Sequence, residues 1–258
     1  MAKNTPHLSV GCHVVLIDGE PILAAERLPS LTSQNAGGGR FGDNLKSFVA
    51  RALTGRLNPD EIENETSAQI RKLQSAGITV SHLDSHKHTH LFPQVLRPLL
   101  RAARACGVRA IRNPFGPRKP LRSGELLQRP GLWARYAEMR ILHGLAGKFR
   151  DAVNRAGMIT PDGTLGIVVT GALDETLFRA IAAIIPEGTW EFVCHPGYND
   201  DDLKRANTRL RESRETELQV LTRLDAREIL SDHGITLISY SDLIAAPYLP
   251  AVSVAKYP

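Results

Sequence analysis

The chain has 258 residues, 42% of them hydrophobic and 23% charged, with a formal net charge of +5. That length buries a substantial core, either as one large α/β domain or as two small ones, and the composition is ordinary for a globular protein. Several classes are argued against: no apolar run reaches the ~20 residues that a membrane-spanning helix requires, the N-terminal MAKNTPHLSV lacks a signal-peptide core, and basic residues interleave with acids at only 5% aromatic content, a poor basis for nucleic-acid binding. A cytoplasmic protein is expected. Cys12, Cys106 and Cys194 are too few and too scattered for a disulfide framework or a paired-cysteine zinc site, so buried free thiols are expected.

In chain order, Leu8 to Ile17 reads as a buried strand with His13 in its middle. Asp18-Gly19 starts a turn, and Pro21, Pro29 and the run Gly37 to Gly39 mark a long irregular connection. Asn58-Pro59 is a helix start, a capping side chain followed by proline, and Ile62, Ile70 and Leu73 supply a sparse apolar stripe up to Gly77. Next comes SHLDSHKHTH, Ser81 to His90, which holds four of the nine histidines. In an extended segment, His82, Asp84, His86, His88 and His90 project to one face. Such a face is a poor hydrophobic surface and a good one for metal binding or proton transfer.

Pro93 opens a helix with Val95, Leu96, Leu99, Leu100 and Ala103 on one side, and Gly107 closes it. Val108 to Ile111 is a short strand running into the loop RNPFGPRKP, where Arg112 is the residue of interest. A long helix is predicted over Leu132 to Ala156, a strand over Leu165 to Thr170, a helix over Asp174 to Ile185 and a strand over Trp190 to Cys194. That last strand ends at His195-Pro196-Gly197-Tyr198. A charged helix with Arg211, Glu215, Leu218 and Leu221 follows, and ITLISY is predicted as a final strand.

Strands alternating with helices predict a mainly parallel sheet, open or closed as a barrel, with every strand's C-terminal end on one side. His86, His88, His90, Arg112 and His195 all fall at or beyond such ends, where barrels carry their chemistry. His13 and His86 on one face bind a divalent metal when a carboxylate completes the set, and His195 on its proline-glycine turn suits a proton donor.

GCHVVLIDGEP, SHLDSHKHTHLFP, WEFVCHPGY and LISYSDL together, in this order and across nearly the whole chain, resemble the YdjC-like carbohydrate deacetylases, the group that includes chitooligosaccharide deacetylase and a hopanoid-biosynthesis deacetylase. The resemblance implies a single domain over residues 1–258 with a distorted (β/α) barrel of the polysaccharide-deacetylase type. It implies a hydrolase that removes the N-acetyl group from an acetylated amino sugar, in a chitooligosaccharide or an N-acetylglucosaminyl glycoconjugate, and releases acetate. It places the metal ligands on His13 and His86, the catalytic proton donor on His195 and a positioning or substrate-binding arginine on Arg112. From the residues themselves, Asp84 on the histidine face is a further catalytic candidate that supports His86, and His88 and His90 are read as substrate-pocket lining. Magnesium is the metal implied by the resemblance, while two imidazoles also suit zinc.

One departure stands out. The family begins with a strand carrying Asp-Asp-Phe-Gly, whose carboxylate binds the metal, whereas this chain starts at what corresponds to the third strand. Two expectations stand side by side: a recorded start that lies downstream of the true one, or a natural truncation with an incomplete barrel, whose bare sheet edges favour pairing with another chain, as in a homodimer. A sugar-binding protein without turnover is the alternative. Specificity is expected in the loops Gly19 to Asp43 and Asn113 to Arg129.

Overall fold

A computed structural model describes residues 5, 7–32, 39–205 and 208–246. The start of MAKNTPHLSV, and Gly37 and Gly38 of the glycine run, lie outside the described residues. In chain order the elements are β1 (Val10–Val14), α1 (Leu45–Leu53), α2 (Pro59–Ser75), β2 (Val80–Ser85), α3 (Pro93–Ala105), β3 (Ala110–Ile111), α4 (Ser123–Leu127), α5 (Trp133–Leu142), α6 (Ala146–Arg155), β4 (Gly163–Leu165), α7 (Glu175–Ala182), β5 (Trp190–Phe192), α8 (Asp201–Arg205), α9 (Glu212–Thr222), α10 (Ala226–Asp232) and α11 (Tyr240–Ala245). The fold is α/β with parallel sheets. Among the described residues the strands form a three-stranded sheet, β1-β2-β3, and a two-stranded sheet, β4-β5. The chain divides into two compact units: residues 1–111, 152–159 and 238–258, and residues 112–151 and 160–237.

In the first unit, β2 is the central strand, paired on both sides. Its burial is nearly continuous, as expected of a parallel strand covered on both faces. Helix α2 begins as predicted, with the Asn58 side chain accepting from the Asp60 N–H and Pro59 in the first turn. Its inward face is not the sparse apolar stripe alone. Glu61, Glu65 and Gln69, spaced four apart and therefore on one face, turn inward with Ile62 and Ile70. Glu65 is 0% exposed and accepts the Ile22 N–H at 2.9 Å and the Leu23 N–H at 3.0 Å. Glu61 accepts from Ser30 N–H and Oγ, and Gln69 bonds both main-chain groups of Val15. The long Gly19 to Asp43 connection is thus stitched to α2 by buried carboxylates.

In the second unit, β4 and β5 form a short parallel pair, and Leu165, Val168, Val169, Leu177, Phe178 and Ile181 are in its core. The predicted strand over Leu165 to Thr170 is corrected here. Gly166 adopts φ +92°, and successive turn bonds follow from Val169 N–H to the Gly166 carbonyl and from Ala172 N–H to the Val169 carbonyl. Arg135 caps that turn by donating to the Val168 and Thr170 carbonyls.

Two further expectations change. The helix predicted over Leu132 to Ala156 is broken into α5 and α6 by a 3-10 turn at His143–Leu145. ITLISY is not a strand: Ser239 caps α11 in a reciprocal pair with Asp242, so the segment serves as a helix entry.

Removing the Glu65 carboxylate deletes three charge-assisted hydrogen bonds at a buried site, from the Ile22 and Leu23 N–H groups and from Gln69 Nε2. Glu65→Ala is expected to lower unfolding free energy by about 2–4 kcal/mol, read from the urea midpoint at unchanged slope.

Candidate active site

The candidate site in the first unit grows from the ladder between β1 and β2. Their parallel register sets His13 opposite Asp84 and Val14 opposite Ser85. Across that pair, His13 Nδ1 bonds Asp84 Oδ2 at 2.8 Å. Asp84 is buried, while half of the His13 side chain is exposed, so His13 is not a core side chain although its strand is apolar. With Nδ1 turned to the carboxylate, Nε2 points away from the ladder. It lies 3.3 Å from His86 Nδ1, the two rings meeting edge to face.

Gly11 explains the glycine-x-histidine pattern. A Cβ at Gly11 would lie 2.4 Å from the ring of His82, which stands over β1 and stacks on Tyr240 at 3.7 Å between ring centroids. His82 is therefore packed into the first unit, between Gly11 and Tyr240.

The histidine segment is not extended throughout, which corrects the expected single face. β2 stops at Ser85, and His86–Leu91 wind into 3-10 turns with Lys87 at φ 54° and His88 at φ 52°. Ser85 Oγ is the hub of this turn: it accepts the His90 N–H at 2.9 Å and from Thr89 Oγ1 at 3.0 Å, and it bonds His90 Nδ1 at 2.7 Å. His90 is 0% exposed. Its ring, sealed from solvent and bonded to Ser85, braces the turn from inside. His88 is half-buried beside it, 6.3 Å between ring centroids.

Sequence reasoning missed the ion pair between Lys87 and Asp18. Both residues have positive φ, 54° and 62°, unusual for side chains other than glycine. The pair ties the Asp18-Gly19 turn to the histidine turn. Burial lowers the His86 pKa below its ordinary value, with His13 and Lys87 adding to the effect and Asp18 and Asp84 opposing it. The neutral imidazole thus favoured is the form that ligates a metal.

These residues fit a divalent ion as two of its ligands. Two imidazole nitrogens bonded at ~2.0–2.1 Å around a tetrahedral ion stand roughly 3.3 Å apart, and a carboxylate orienting one of them is the usual support. No group of three or more candidate ligands occurs among the described residues.

The second unit holds the other predicted residues. Arg112 donates from Nε at 2.9 Å and from Nη2 at 2.5 Å to Oε1 of Glu191, a pair only about 15% exposed. Cys194, two residues past β5, has its thiol pushed up to about 11 by burial and by Glu217, so it stays protonated at neutral pH. His195 follows, and its main-chain N–H donates to Glu217 Oε2. Glu191 and Glu217 were not anticipated, although Glu217 shares a helix face with Val220 and Leu221, a spacing that marks an inward position.

The sequence model of a family described as YdjC-like protein matches residues 1–232. A carbohydrate deacetylase from Brevibacillus brevis is 27% identical over 244 residues, covering 94% of this chain and 81% of that protein. A chitooligosaccharide deacetylase from Proteus mirabilis is 27% identical over 248 residues, covering 95% and 81%. A crystal structure from Enterococcus faecalis, described as a cellobiose-phosphate cleavage protein, superposes with a TM-score of 0.68 at 25% identity, covering 93% of this chain and 80% of that one.

Asp84→Asn keeps the shape of the side chain and removes the charge that fixes the His13 tautomer. Calorimetric titration with Zn²⁺ is expected to show affinity weakened roughly 10–100-fold, and unchanged affinity would refute the orienting role.

Proposed function

The chain belongs to the YdjC-like family, and from that membership we propose that it is a metal-dependent N-deacetylase of acetylated amino sugars, releasing acetate. The observation that carries the reading is the facing pair of His13 Nε2 and His86 Nδ1, with Asp84 locking the first. Surface histidines have no need of a buried carboxylate behind them. A pair built to share an ion does.

In this reading His13 and His86 hold the ion, magnesium by family resemblance or zinc by donor type. Its chemistry when bound is to polarise the acetyl carbonyl and to lower the pKa of a water. Asp84 keeps His13 in the ligating tautomer. His195 gives its proton to the departing amine, which otherwise leaves as an unstable anion. Arg112, its guanidinium fixed by Glu191, is a rigid donor for the substrate. His88 remains the substrate contact among the later histidines. The N-acetylglucosaminyl unit is the group recognised in this reading, supported by a Proteus mirabilis relative named chitooligosaccharide deacetylase.

The alternative is a sugar-binding protein without turnover. The two readings separate cleanly in an assay of acetate release from N-acetylglucosamine oligomers, with added divalent ion or with chelator. Deacetylation predicts ion-dependent release that falls at least ~100-fold in His86→Ala. Oligomer binding without acetate would establish the alternative, and release indifferent to both chelator and His86→Ala would overturn the metal scheme.

A further inference from the structure

His195 is delivered by a turn, and a turn stands where its main-chain bonds put it. Past β5 the segment His195-Pro196-Gly197-Tyr198 is tied to α9 at two points. The His195 N–H donates to Glu217 Oε2, and the Gly197 N–H donates to the Arg214 carbonyl at 3.2 Å. Pro196, between them, has no N–H to give. Arg214 and Glu217 are three residues apart and so present one face of α9 to the turn.

Glu217 is an unusual peg. It is 1% exposed, one oxygen is engaged by His195, and the other, Oε1, is buried without a hydrogen-bond partner among the described residues. Asn199 Oδ1, in the same segment, and Ser213 Oγ, one helical turn before Glu217, are likewise buried and without a partner. A buried carboxylate left half satisfied is unfavourable for stability alone, and an apolar residue at this inward position would pack with Val220 at no such penalty. What the engaged oxygen holds is the His195 main chain.

The geometry points to Glu217 as a positioning residue for the deacetylation: by fixing the His195 main chain from a rigid helix, it sets where the imidazole stands when the amine departs. This role rests on His195 being the proton donor. Proton transfer requires hydrogen-bond distance to the leaving atom. A displacement of ~1 Å at such a group lowers turnover by roughly 100-fold.

The test compares His195→Ala, Glu217→Ala and Glu217→Gln for kcat and KM on N-acetylglucosamine oligomers, alongside the amide proton resonance of His195 in ¹H–¹⁵N spectra. Glu217→Ala is expected to lower kcat roughly 10–100-fold with KM within about twofold, and to move the His195 amide upfield as its acceptor is lost. Glu217→Gln, which still offers an oxygen there, is expected to restore kcat to within about threefold and to keep the amide downfield. If Glu217→Ala does not fold, Glu217→Asp, which withdraws the acceptor by one methylene, is read on the same two scales, with at least about a fivefold loss of kcat expected. Wild-type kcat in a folded Glu217 variant that lacks the bond, with His195→Ala inactive, overturns the positioning role and leaves the deacetylase reading intact. Wild-type kcat in His195→Ala overturns the assignment of His195 and this role with it.

Discussion

The candidate site in the first unit depends on one bond, Asp84 to His13 across the β1–β2 ladder. Asp84 is a buried acid on a central strand, and a buried charge persists only with a partner. The parallel register supplies that partner without any loop: residue opposite residue, fixed by main-chain hydrogen bonds on both sides of β2. Everything else follows from the direction this imposes on the imidazole. Nδ1 is committed to the carboxylate, so Nε2 faces His86, and the separation of the two ring nitrogens is set by the ends of two adjacent strands. Because the strands are rigid, the pair is preorganised, which is what an ion site or a proton-transfer site requires.

Much of this was legible in the chain itself. The residue types and their order place His13, Asp84 and His86, and the parity of Asp84 with the histidines anticipates a shared face as far as Ser85. Beyond Ser85 parity fails, because a local side-chain network outweighs the extended propensity: Ser85 Oγ collects bonds from Thr89 and His90 and curls the chain back on itself. No periodicity announces such a hub. The run after Leu165 fails for a related reason, since Gly166 takes a left-handed φ that a strand does not use. ITLISY misleads through its β-branched residues, although Ser239 and Asp242 spell a capping box three residues apart.

The buried acids form a pattern that composition conceals. With 27 acidic and 32 basic residues, the chain reads as a solvated surface of mixed charge. Yet Glu61, Glu65, Asp84 and Glu217 are buried, and each accepts from a loop, a turn or an imidazole. Carboxylates suit this work because each has two oxygens to receive main-chain N–H groups that irregular segments leave without partners. The loop expected to confer specificity, Gly19 to Asp43, is on this account a held structure along the parts that α2 reaches.

Strain marks the same place that chemistry does. Among the described residues only Asp18, Lys87 and His88 carry positive φ without being glycine, and Lys87 and His88 directly follow His86. Such conformations are unfavourable by roughly 1–3 kcal/mol each and persist where the surroundings over-determine them. Here the Ser85 hub fixes one side and the Lys87–Asp18 pair fixes the other. β2 ends at Ser85 and the strained residues Lys87 and His88 turn the chain immediately after His86, so the imidazole sits just past the strand's end and not along its buried face. An unstrained continuation of β2 would keep His86, His88 and His90 on one extended face.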